Sequence, residues 1–222
     1  LRSPLTNIIG FAQLLADPKF GELSDKQSEY ADYIQSSSSA LLAIINDILD
    51  LATLDAGIME LDLGEVDVAS TVEAAVEGLK DRIAETRINL RTHVPDDIGM
   101  MIADEKRLRQ VLFNLISNAV RYSEADGIVD VSCSREDGSV TFVVKDHGYG
   151  IPAEILTQVF NRFVGHDTGT RRQGAGLGLA IVKSFVELHG GSVDIQSAEG
   201  KGTTVTCVFP ARPELAETAA AE

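Results

Sequence analysis

Three short segments of this chain hold the residues whose types and spacing could do chemistry. The first is Asn114-Leu115-Ile116-Ser117-Asn118-Ala119-Val120-Arg121-Tyr122. On a helix, positions 114, 118 and 121 share one narrow stripe, because steps of four and seven residues nearly complete whole turns. Leu108, Leu112, Leu115 and Ala119 form the adjoining apolar stripe. Two amides and a guanidinium in line suit a metal–phosphate group, since amide oxygens can ligate Mg²⁺ and the cation meets phosphate oxygens. The same residues would serve equally well as a solvated face. In the second segment an apolar strand, Val143-Val144-Lys145, delivers Asp146 into a loop carrying Gly148 and Gly150. A carboxylate so placed can accept a hydrogen bond from an exocyclic amine such as that of adenine, and glycines let backbone approach a ligand closely. A tight turn has the same pattern. The third segment sets Gly174, Gly176 and Gly178 before an apolar helix, where free N–H groups and the helix dipole make an anion site. Its spacing is not the dinucleotide fingerprint, which needs a glycine where Leu179 stands, and it lacks a Gly-Lys-Ser/Thr ending.

The elements that must position these segments can be read from periodicity. Leu5, Ile8, Ile9, Ala12 and Leu15 predict a first helix, and Pro18, Gly21 and Ser24-Asp25 punctuate the stretch beyond it. Ser24 with Gln27 makes a capping-box pattern, and Gly57 is the natural stop of the second helix. That helix carries two apolar stripes, one through Ile34, Leu41 and Ile48 and one through Leu42, Ile45 and Leu49. One hairpin cannot cover both, so a homodimer through residues 1–56, closing a four-helix bundle, is expected. From about residue 59 the pattern becomes mixed. Strands are predicted at 60–66, 87–94, 100–103, 128–134, 139–145, 192–197 and 203–209, and helices at 68–86, 104–122, 153–160 and from the third segment to 189. This is an α+β two-layer sandwich with helices on one face of a mixed β-sheet. Three regions result: a helical hairpin over 1–57, a mixed domain over 58–210, and a flexible tail over 211–222.

Composition narrows the function. With 44% hydrophobic residues the chain can bury a core, and with no run of 18 or more apolar residues it is not expected to cross a membrane. Leu1-Arg2-Ser3-Pro4 does not read as a leader, and the abrupt helical start suggests a fragment of a longer protein. The net charge of −15, from 34 acidic against 19 basic residues, repels nucleic acid and anionic lipid. Cys133 and Cys207 sit in alternating strand-like stretches and read as buried, reduced thiols of a cytoplasmic protein; any membrane association would come through parts outside the chain.

Together and in this order, the three segments resemble the ATP-binding domain shared by histidine kinases, gyrase, Hsp90 and MutL. The likeness runs over roughly residues 60–210 and includes Phe160 and Phe163 where that family has a phenylalanine box. Leu1-Arg2-Ser3-Pro4-Leu5 is similar to the end of the histidine kinase signature His-Glu-Leu-Arg-Thr-Pro-Leu, so the resemblance spans nearly the whole chain. It implies ATP and Mg²⁺ as cofactors and a response-regulator receiver domain as partner. Asn118 would ligate Mg²⁺ with Asn114 helping, Arg121 and Tyr122 would meet phosphates and the nucleotide rim, and Asp146 would read the adenine amine. Gly148 and Gly150 would allow close approach, residues 164–176 would form a lid, and Gly174, Gly176 and Gly178 would offer backbone N–H groups. Arg162 matches a family arginine at the same site. Ser3 would stand at the position that orients water for phosphatase activity.

Two departures bear on activity. The phosphoacceptor position lies two residues before Leu1, and none of His93, His147, His166 and His189 replaces it; each reads as a surface or loop residue. The family's second arginine, three residues beyond Arg162, is here Gly165, with Arg171 or Arg172 as possible substitutes. Loss of that cation would weaken charge stabilisation during transfer. This leaves two readings: an active autokinase, or a catalytically weak scaffold that signals by conformation or partner binding. An ATPase of the gyrase–Hsp90 type is rejected, because Asn114 stands where those enzymes use a glutamate, and an amide is no general base.

Overall fold

The structure, a computed structural model, describes residues 2–164 and 175–213. The chain divides into two compact units, Leu1–Ile58 and Met59–Glu222.

In the first unit, α1 (Arg2–Ala16) and α2 (Asp25–Asp55) pack on each other through Leu5, Ala12, Ala31 and Leu51. At the start of α2 the Gln27 Oε1 accepts from both the N–H and the hydroxyl of Ser24, each at 2.9 Å. Its end is closed by Gly57 at φ 65°, with Gly57 N–H donating to the Leu54 carbonyl and Ile58 N–H to that of Thr53. This 5→2 and 6→1 pair satisfies carbonyls that the helix leaves open. By length and composition alone α2 is apolar enough to cross a membrane, although it holds no uninterrupted apolar run of that length. Its apolar residues recur at helical spacing, which is also the pattern of a bundle helix.

The second unit contains β1 (Gly64–Asp67), α3 (Val68–Glu77), α4 (Lys80–Thr86), β2 (Asn89–His93), β3 (Met100–Ala103) and α5 (Glu105–Tyr122). After these come β4 (Ile128–Glu136), β5 (Ser139–Asp146), α6 (Ala153–Leu156), α7 (Gly178–Leu188), β6 (Ser192–Ala198) and β7 (Gly202–Pro210). The main sheet has the order β2-β4-β5-β7-β6, with β2 parallel to β4 and the remaining pairs antiparallel. A separate ribbon pairs β1 with β3. Val129, Val131, Val140, Phe142, Val144, Cys207 and Phe209 alternate onto one face, where α5 and α7 cover them. Each such large side chain stabilises the fold by about 1.5–3 kcal/mol. Phe142 and Phe209 meet edge to face at 5.8 Å.

Several expectations need correction. The helix expected over 68–86 is two helices, broken at Gly78, where the turn brings Leu79 into the core. The strand expected from residue 60 begins only at Gly64, because Asp62 donates its N–H to the Asp104 Oδ2 at 3.1 Å instead of to a ladder. The helix expected over 153–160 ends at Leu156. His189 is no surface residue: it is 1% exposed. Both cysteines are buried free thiols, and burial pushes Cys207 up to about 12. The expected tail starts late, since Ala211 donates to the Gly138 carbonyl and accepts from Ile102; residues 214–222 lie outside the described residues.

Candidate functional site

The site is assembled around α5. Its N-cap, Asp104, accepts from Arg107 N–H at 3.0 Å, while Asp104 N–H donates to His189 Nε2 at 3.1 Å. The other imidazole nitrogen lies 2.7 Å from the Phe185 carbonyl. Since Nε2 accepts, Nδ1 carries the proton and donates, so the buried ring is neutral; burial also lowers its pKa. One side chain thus ties the start of α5 to the end of α7. With Leu108, Leu112, Leu115 and Ala119 turned into the core as expected, Asn114, Asn118 and Arg121 remain half-buried on another side of the helix.

Opposite those amides stands the first residue of α7. A Cβ on Gly178 would lie 3.5 Å from Asn118 Nδ2 and 3.8 Å from Asn114 Cγ. Among the described residues no side chain caps this helix start, and its first N–H groups adjoin the two asparagines. Asn114 Nδ2 is buried and has no hydrogen-bond partner among the described residues. Buried donors are rarely left so, and an acceptor oxygen delivered by a ligand would satisfy this one.

Asp146 ends β5 and is 7% exposed. Gly148 N–H donates to its Oδ1 at 2.8 Å and Thr203 N–H to the same oxygen at 3.2 Å, so neither occupies Oδ2. Burial raises the carboxyl's pKa, opposed by those two bonds and by His147. The loop beyond is fastened to α5 by Tyr149 N–H, which donates to the Tyr122 carbonyl at 3.1 Å. Asp146 and the end of the asparagine helix are thereby brought together.

Within this structure, Gly148 and Gly150 make their close approaches to the chain's own backbone. A Cβ on Gly148 would lie 2.0 Å from the Tyr122 carbonyl oxygen, and one on Gly150, at φ 67°, 2.0 Å from that of Ala198. Gly202 is a third such position, 2.1 Å from the Asp146 carbonyl oxygen, and it lies between two strands predicted from the sequence. Beyond α6, Phe163 N–H donates to the Gly176 carbonyl at 2.9 Å, which joins the phenylalanine box to the last glycines. Arg162 is exposed on that segment. Gly165, His166, Arg171, Arg172 and Gly174 lie outside the described residues. Ser3 is exposed in the first turn of α1, in the other unit. A cavity of about 470 Å³ lined by His93, Ser132, Ser134 and Thr141 takes in none of the residues predicted for nucleotide binding.

Sequence reasoning missed Arg82. On α4, its Nη1 donates to the Ser117 hydroxyl at 3.1 Å, one turn before Arg121. No local spacing could have found it, because the contact joins two separate helices.

Comparison with known proteins places these features in a family. The model of the histidine kinase-, DNA gyrase B- and HSP90-like ATPases matches residues 103–213, and that of the His Kinase A phospho-acceptor domain matches residues 1–57. The circadian input-output histidine kinase CikA of Synechococcus elongatus is 40% identical over 95% of this chain, and the sensor protein DivL of Caulobacter vibrioides 37% over 95%. The chain spans 28% and 26% of those relatives. Among solved structures, full-length ShkA in complex with AMPPNP aligns at TM-score 0.77 and 35% identity, over 94% of this chain and 43% of that one. The mycobacterial sensor histidine kinase MprB aligns at TM-score 0.58 and 30% identity, over 68% of this chain and 99% of that one. A phospho-acceptor hairpin followed by an ATPase domain of this type, at these identities, means that the chain belongs to the sensor histidine kinase family of two-component signalling.

Proposed function

We propose that this chain is the cytoplasmic signalling core of a kinase that binds ATP with Mg²⁺ in residues 58–210 and dimerises through residues 1–56. In this reading the γ-phosphoryl group passes to an acceptor side chain ahead of Leu1, in the hairpin of the same dimer, and then to an aspartate of a response-regulator receiver domain. The observation that carries it is Asn114 Nδ2, buried and without a partner among the described residues, beside a start of α7 that no described side chain caps. That pair, a donor without a described acceptor and the first N–H groups of a helix, matches the oxygens of a polyphosphate.

The residues fit the roles expected of them. Asp146 would offer Oδ2 to the adenine amine from a buried position, and Tyr122 lies against the same loop. Among the described residues no group of three or more His, Cys, Asp and Glu could hold a metal. Asn118, with Asn114, would hold Mg²⁺ through amide oxygens jointly with phosphate oxygens, and the bound ion would neutralise charge on the group being transferred. Gly176, Gly178 and Gly174 would supply backbone N–H groups, Arg121 and Arg162 would supply cations, and Ser3 would orient water in the reverse reaction. The test is single-turnover labelling with radiolabelled ATP, in a chain extended to include the acceptor. Labelling of the acceptor, lost on Asn118→Ala, is expected. Gly165→Arg should raise the rate about tenfold or more, because a second cation would flank the moving phosphoryl group. ATP binding without labelling in either form would favour the scaffold reading, which rests on Gly165.

A further inference from the structure

The helix α4 brings a guanidinium to the flank of α5 with no ion-pair partner among the described residues. Arg82 Nη1 donates to Ser117 Oγ at 3.1 Å, and Ser117 is four residues before Arg121 on the same helix. Burial is the first cause that disfavours the charged form of Arg82, and the charge of Arg121 is the second, ahead of the opposing effect of either Glu85 or Tyr122 taken singly. Both arginines are half-buried. Among the described residues no carboxylate lies within salt-bridge distance of either. Two like charges held near each other and partly desolvated are less favourable than when an anion joins them, since desolvation and mutual repulsion both act against the charged forms. A hydroxyl alone offers Arg82 one neutral acceptor for five N–H donors. The acceptors still wanting are of the kind a phosphate presents, and planar guanidinium forks match phosphate oxygens two at a time.

We infer that Arg82 and Arg121 form a two-guanidinium clamp for the phosphate chain of the bound nucleotide, with Ser117 holding Arg82 in register. This rests on the nucleotide reading above and adds a binding residue from an element that carries none of the recognised segments. The direction is consistent along α5. Tyr122, at the adenine end, lies against the Asp146 loop, and Asn114, two turns earlier, faces Gly178. Ser117 and Arg121 lie between them. A nucleotide held at Asp146 and running toward the start of α7 would follow the helix that carries Ser117 and Arg121.

The experiment compares binding of adenosine, ADP–Mg²⁺ and ATP–Mg²⁺ by the whole chain, by calorimetric titration at two ionic strengths. Arg82→Gln should weaken ADP and ATP about tenfold and adenosine less than about twofold, and should flatten the salt dependence of ATP binding. Ser117→Ala, which keeps both cations, should stay within about threefold of the wild type, and Arg82→Lys should recover part of the loss. If Arg82→Gln fails to fold, Arg82→Lys decides, since a point charge without the fork should weaken ATP more than adenosine. Equal effects on adenosine and ATP, or none on either, would overturn the clamp and leave Arg82 as a tie between helices. A wild type that binds adenosine and ATP, with a salt response that no variant changes, overturns the clamp alone. A wild type that binds no adenine compound overturns the nucleotide reading and the clamp with it.

Discussion

The two units bury their apolar residues to very different degrees. In Met59–Glu222, Leu108, Leu112, Ile116, Phe142, Phe185 and Phe209 are fully enclosed by the chain's own helices and sheet. In Leu1–Ile58, Leu5, Ala12, Ala31 and Leu51 are buried, while Phe11 (66% exposed), Tyr33 (60%), Leu15 (56%), Leu41, Ile48 and Leu49 face outward. Apolar periodicity therefore reports that a surface will be covered, not by which chain. The nucleotide unit completes its core alone, whereas the hairpin presents the surface a second copy would cover.

The largest expected effect breaks one side of this contrast and spares the other. Gly148→Ala sets a Cβ 2.0 Å from the Tyr122 carbonyl oxygen, and backbone on both sides has to move. It should cost about 3 kcal/mol or more, enough to unfold a marginal domain. Calorimetry should then show the nucleotide unit's transition lowered or lost while a helical transition survives. Next in size, Leu41→Asp with Ile48→Asp would place carboxylates in the proposed bundle seam and should yield monomers by light scattering. The nucleotide unit should melt unchanged, and a joint shift of both transitions would show that the units are not independent.

A smaller effect tests the tie between α5 and α7. The His189 pKa is lowered, chiefly by burial, so the unfolded chain binds more protons than the folded one below its ordinary value of 6.5. Stability is then fully present above about pH 6.5 and is lost as pH falls toward the depressed folded value. His189→Leu should flatten this acid limb. At pH 7 it should cost about 1–3 kcal/mol, because Asp104 N–H loses its acceptor. An acid limb unchanged by the substitution would assign it to carboxylates instead.

Most of the fold was legible because its elements are local. The capping box at Ser24, the Gly57 stop and the alternation of Val140, Phe142 and Val144 are each written within a few residues. The features that escaped were set by distant partners. His189 is buried because Asp104, 85 positions away, donates to it. Gly202 is constrained by Asp146, and Arg82 by Ser117 on another helix. The residue types expected around the nucleotide were readable as motifs, but the reason for Gly148 and Gly150 was not. Their missing side chains let strand, loop and helix backbones touch, which holds Asp146 beside Tyr122.

That arrangement is tested most directly by the melting temperature of the whole chain with and without ATP–Mg²⁺, in the wild type and in Asp146→Asn. Asparagine keeps an Oδ1 for the N–H groups of Gly148 and Thr203 and removes a buried charge whose pKa is raised, so the ligand-free variant should melt no lower than the wild type. At a nucleotide concentration about a hundredfold above Kd the wild type should gain about 2.7 kcal/mol, or about 5–10 °C for a domain of this size. The variant should gain almost none of it, because its amide can turn an NH₂ toward the adenine amine where the carboxylate offered an acceptor. Equal shifts in the two proteins would contradict the assignment of Asp146 as the adenine reader, and no shift in either would contradict nucleotide binding itself.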